Sequence, residues 1–99
     1  MKDKLENLYK ECMDVWGFEA QSRVAQEECG ELITAISHLL RERECGLEEV
    51  IEETADVYLM VHQLMYYLGE ERVMAAVEYK AKGIWKRIEK EKMETEDGN

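Results

Sequence analysis

Proline is absent from the 99-residue sequence, and glycine occurs only six times. A chain so poor in helix breakers, and without the Val/Thr-rich alternation of a sheet, is predicted to be all-helical. Cysteine is scarce too: Cys12, Cys29 and Cys45 are an odd, widely spaced set with no C-x-x-C pair. That argues against a disulfide framework or a zinc site and points to a reduced, cytoplasmic chain with packed thiols. No apolar run is long enough to span a bilayer, and the opening MKDKLENLYKE does not read as a signal peptide. Basic residues are in short supply, 13 against 23 acids, for a net charge of -10. The deficit argues against nucleic-acid partners, which need a basic footprint, and against docking on anionic membranes. It also means that an anionic ligand needs a cation to bridge it to the protein.

Apolar residues make up 45 % of the chain, enough for one modest core. A domain of this size buries somewhat over ~60 % of the surface its unfolded chain exposes. Four helices are predicted. The first, over 3–15, carries Leu5, Leu8, Cys12 and Val15 on a stripe that Tyr9 and Trp16 widen, and Gly17 stops it. The second spans 20–43 and ends at ECGL, where Gly46 can take the left-handed conformation. The third, over 48–68, starts with Glu48 and Glu49 at the positive end of its dipole and stops at Gly69. The fourth covers 70–90, with Val73, Val77, Ile84 and Ile88 as its apolar stripe. Short links between them suggest a compact four-helix bundle-like subunit or paired hairpins in one domain, 1–90, with 91–99 as a frayed polar tail. From Val57 to Leu68 the third helix is apolar or aromatic on nearly every side, with Tyr58, Leu59, Tyr66 and Tyr67 off the main stripe. One small subunit covers only one side of such a helix, which predicts a homo-oligomer. The alternative leaves these tyrosines on the surface with wet hydroxyls.

The acids are placed unusually. In AQEECGELITAI, Glu28 and Glu31 stand among Val24, Ala25, Leu32, Ala35 and Ile36; VIEETADVYLMV repeats the pattern with Glu53 and Asp56. Residues advance ~100° around a helix, so Gln21, Val24, Leu32, Ala35 and Leu39 lie within ~40° of Glu28, with Glu31 ~60° to one side. Val57, Met60 and Leu64 surround Glu53 in the same way, and Asp56 sits to the same side as Glu31. Glu27 lies further out, toward water. The residue between the acids is small in both copies, Gly30 and Ala55. A helical glycine costs about 0.5–1 kcal/mol relative to alanine, so close approach of something at Gly30 is a reason to keep it.

Two helices packed by these faces gather four carboxylates in a partly buried cleft. Burial and mutual repulsion both oppose their ionisation, and a divalent cation resolves the conflict. All-oxygen ligands choose hard ions, Mg²⁺ first and Mn²⁺ as substitute, whose open positions accept phosphate oxygens. A solvated helix face can also carry acids at i, i+3, and this chain is rich in them. Two copies of matching handedness on apolar arcs favour the metal. A di-iron bundle needs E-x-x-H pairs, and Ala35 and Leu59 stand where those glutamates would be.

EECGEL followed by EETAD resembles the E-E-x-x-E … E-x-x-D signature of the MazG-like all-α nucleoside triphosphate pyrophosphohydrolases. The resemblance runs from WGFEAQ through the basic fourth helix. It implies Mg²⁺-dependent hydrolysis of (d)NTPs to monophosphate and pyrophosphate by a dimer or a dimer-of-dimers tetramer. By the same resemblance Glu28, Glu31, Glu53 and Asp56 are the catalytic metal ligands. Glu28 or Glu31 could orient the attacking water or accept its proton. Glu49 and Glu52 flank the site, either to reach a further ion or as a solvated face. Lys80 and Arg87 flank the fourth helix's stripe on one side, as phosphate contacts or as side chains lying along the core edge. Similar enzymes often carry Asn and Arg where this chain has Lys82 and Gly83. Trp16, Phe18 and Gln21 are candidates for the base, by stacking or amide hydrogen bonds, with Trp16 equally readable as a core anchor. His38 and His62 have no obvious partner and read as structural or surface residues. A reading from another class is a non-catalytic helical dimer that binds nucleotides as a regulator.

Overall fold

A computed structural model describes residues 4–97, so the predicted helix start at Asp3 and the last two tail residues lie outside the described residues. The chain is all-helical: α1 (Glu6–Leu40), α2 (Gly46–Leu68) and α3 (Glu70–Asp97). The described residues fall into two compact units, one ending at Leu68 and the other starting at Gly69. No helix among them is long and apolar enough to cross a membrane.

Helix α1 is two helical arms, 6–16 and 18–40, divided at Gly17 (φ +86, ψ 164). That backbone region is essentially closed to residues with a Cβ, which is why the predicted stop falls here. The chain continues straight into the next helical arm, without the loop from 16 to 19 that the sequence suggested. The buried face of the first arm is Tyr9, Cys12 and Met13, at i, i+3, i+4. Leu8, Val15 and Trp16, assigned to the stripe by periodicity, are exposed. Cys12 is the one packed thiol; Cys29 and Cys45 are free and exposed, against the expectation that all three pack.

The second arm ends in a six-to-one closure. Arg43 N–H donates to His38 O (3.0 Å) and Glu42 N–H to Leu39 O (2.9 Å), with Glu42 left-handed at φ +58. This corrects the expectation for Gly46: the left-handed position belongs to Glu42. Gly46 instead opens α2 against α1, where a Cβ would stand 2.7 Å from Leu39 Cα and 2.9 Å from Leu39 N. Backbone cannot yield as a side chain does, so only glycine lets the helices touch here.

From this contact α1 and α2 run antiparallel. Gln21 faces Gln63, Glu28 faces Asp56, Glu31 faces Glu53, and Leu39 meets Gly46, rising numbers on one helix against falling numbers on the other. Ala25, Ala35 and Met60 are buried along the seam. Small residues there let the helices approach closely. Phe18 stacks on Tyr67 (ring centroids 4.3 Å), and His62 lies against both Tyr9 and Tyr58, so His62 is a packed structural residue.

The second unit is α3. It continues as helix through 91–97, where a frayed tail was expected; Thr95 Oγ1 donates to Glu91 O at 2.9 Å, and no glycine or proline interrupts the stretch. Its stripe is unevenly covered: Val73 and Ile88 are half-buried, while Val77, Ile84 and Trp85 are exposed.

Candidate metal centre

The antiparallel seam brings the two acid pairs together. Carboxylate oxygens of Glu28, Glu53 and Asp56 lie within 4.8 Å of one another, a group that could hold a metal ion. Glu28 and Glu53 are half-buried, and Asp56 is exposed. One oxygen of each glutamate, Oε2, is shut off from solvent and has no hydrogen-bond partner. Such an atom is costly to bury alone, because a carboxylate loses its water and receives nothing in exchange.

The crowding has an electrostatic signature. Burial, then the charges of Glu31, Asp56 and Glu53, push the Glu28 carboxyl up from 4.5 to about 7. Glu53 is raised as well, first by burial and next by Glu31. Both shifts favour the protonated acid, so the site resists carrying its full negative charge at neutral pH. Two ways out exist: keep protons, or take up a cation.

Glu31 is exposed and outside the tight group of three, on the wall of an open cleft of about 470 Å³. Gly30, Thr34, Glu49 and Glu53 share that wall. A Cβ on Gly30 would meet nothing within 4 Å, so no protein group approaches it and the glycine faces open cleft. Glu27 and Glu52 are exposed, Glu27 also lining the cleft.

The remaining predicted residues are more scattered. Trp16 is 62 % exposed beside the Gly17 break, which removes its reading as an anchor of this chain's core. Phe18 is occupied in its stack with Tyr67. Gln21 is buried, and its amide nitrogen donates to Gln63 Oε1 at 2.6 Å. Lys80 and Arg87 lie on α3, exposed, in the other unit. Two residues were missed as partners: His38 Nδ1 lies 2.6 Å from Glu49 Oε2, an interaction joining α1 to α2. Their positions contained a signal, since His38 is two turns beyond Glu31 and Glu49 one turn before Glu53, each on its acid's own face. No protein-family model matches this chain, and neither curated proteins nor solved structures give a significant match.

Proposed function

We propose that the chain is a Mg²⁺-dependent, cytoplasmic nucleoside triphosphate pyrophosphohydrolase that cleaves (d)NTPs to the monophosphate and pyrophosphate. The observation that carries this reading is the pair of orphaned glutamate oxygens, one from each helix, in a cluster of like charge. The donor set fits a hard divalent ion: every candidate ligand is a carboxylate oxygen, with no histidine or thiol among them. Glu28, Glu31, Glu53 and Asp56 would hold it, with Mn²⁺ as the substitute. When bound, such an ion neutralises charge on phosphoryl oxygens and makes a water more acidic.

The protein's own groups supply the rest. The open cleft admits a polyphosphate beside the acids, and Lys80 and Arg87 on α3 are the cations we propose as phosphate contacts. Trp16 is the stacking platform for the base, its indole being largely exposed. Gln21, assigned to base recognition from its azimuth, has its amide committed to Gln63; its contribution to that subsite is to hold the first turns of the seam in place. We extend the proposal to a MazG-like four-helix bundle assembled as a dimer or dimer-of-dimers tetramer. Exposed Tyr58, Tyr66, Tyr67 and Leu68 on α2, with Val77, Ile84 and Trp85 on α3, supply apolar surface for a second copy.

Pyrophosphate release from a panel of NTPs and dNTPs, with Mg²⁺ and with EDTA, tests the activity. Mg²⁺-dependent release from at least one nucleotide is expected. No turnover of any nucleotide overturns the enzyme, and tight nucleotide binding without turnover would replace it with a regulator. Light scattering in dilute buffer tests the assembly, and a monomeric mass would remove it.

A further inference from the structure

We propose that His38 is a positioning residue, holding Glu49 on the cleft wall as the acceptor of the attacking water's proton. The idea rests on the hydrolase reading above. Glu49 lines the same cleft as Glu31 and Glu53, and it precedes Glu53 by one helical turn, so both leave α2 on one face. It is not among the three acids whose oxygens converge within 4.8 Å. Those are committed to one another's charge; Glu49 is committed to an imidazole.

The contact spans the two helices at 2.6 Å, between side chains 24 % and 39 % exposed. A carboxylate only accepts, so the proton lies on His38 Nδ1, and the bond fixes one oxygen of Glu49. Fixing a long, flexible glutamate in this way removes the rotamers that would swing it into solvent. In the step we assign to it, the water oxygen forms the new bond to phosphorus, and the bridging α–β P–O bond breaks with its electron pair leaving on pyrophosphate or on the nucleoside monophosphate, according to which phosphorus is attacked. The water's proton passes to Glu49, which returns it to solvent.

The test compares kcat, KM and melting temperature for the wild type, Glu49→Gln, His38→Ala, His38→Gln and the His38→Ala/Glu49→Gln double variant. Glu49→Gln and His38→Ala are expected to lower kcat by about 10–100-fold, with KM within about twofold and melting close to wild type. The double variant falls no further than Glu49→Gln alone, and His38→Gln, which keeps an N–H donor, recovers most of the loss. Wild-type kcat in Glu49→Gln overturns the proposal, as do multiplying losses in the double variant. So does a His38→Ala loss that follows melting temperature and is not rescued by glutamine, the behaviour of a plain clamp between helices. A wild-type protein that turns over no nucleotide removes the hydrolase reading and this inference together; turnover with an unaffected Glu49→Gln removes this inference alone.

Discussion

The α1–α2 seam contains two polar layers that solve the same problem in opposite ways. At Gln21 and Gln63, two neutral amides are 6 % and 5 % exposed and bonded to each other at 2.6 Å. Gln63 also directs its amide at Met60 Sδ, 3.6 Å away. Two turns further along α1, at Glu28 and Glu53, the acids share no complementary donor and keep one buried oxygen each without a partner. A satisfied neutral pair fixes the register of two helices and asks for nothing more. An unsatisfied cluster of like charges opposes the fold that contains it, and such a conflict between local chemistry and packing is the mark of a site.

The contrast can be broken at several points. The largest effect belongs to the acids. Glu53→Gln keeps the shape and removes the charge, and should lower Mg²⁺-dependent pyrophosphate release by more than about 100-fold, since even groups one shell out from a metal cost about 10–100-fold. Its helical circular dichroism should match wild type. A wild-type rate would take Glu53 out of the site.

Next comes the pH dependence of stability. The folded Glu28 titrates at about 7 against 4.5 for an unperturbed glutamate, and Glu53 moves the same way. Native acids that bind protons more tightly than unfolded ones stabilise the fold fully below the unperturbed value, and that contribution is lost as pH climbs through the folded one. In EDTA, wild type should therefore lose melting temperature between pH 5 and pH 8 relative to Glu28→Gln. Mg²⁺ at one hundred times its Kd should restore about 2.7 kcal/mol to wild type at pH 8. Parallel melting curves for the two proteins, indifferent to Mg²⁺, would leave the acid layer no different from the amide layer.

The amide layer gives the smaller effects. Gln21→Leu leaves Gln63 buried without its partner and should cost about 1–3 kcal/mol in urea unfolding. The Gln21→Leu/Gln63→Leu double variant should recover most of that loss, because both polar groups leave together. A double variant as unstable as the sum of the singles would mean that the amides do more than satisfy each other.

How much of this was legible beforehand follows from which distances matter. The faces carrying Glu28, Glu31, Glu53 and Asp56 depend only on the rotation per residue and could be read from spacing; packing those faces brings Glu28, Glu53 and Asp56 together, while Glu31 stays exposed outside that group. Gly17 and Gly69 were legible as breaks for a similar local reason: each has positive φ. The buried face of the first arm was legible only in part: Tyr9 and Cys12 turn inward as expected, but Met13 joins them where Leu8 and Val15 were expected, and the backbone at Gly17 resets the azimuth beyond. The Gly46 contact was illegible because it depends on how closely two helices approach, which no window of one sequence contains; of the His38–Glu49 bond, spacing showed only that each residue shares its acid's face. Continuation of α3 past residue 90 reflects helix propensity without a breaker, which composition read as polar tail had obscured.

The Gly46 contact also sets a rule for how the protein can change. With backbone resting on backbone at Leu39, α2 has a fixed origin, and every residue after it is indexed from that point. Substitutions between Gly46 and Asp56 alter chemistry while leaving the index intact. A single inserted or deleted residue there would turn Glu53 and Asp56 by ~100° out of reach of Glu28. Length, more than identity, is what the stretch from 46 to 56 must preserve.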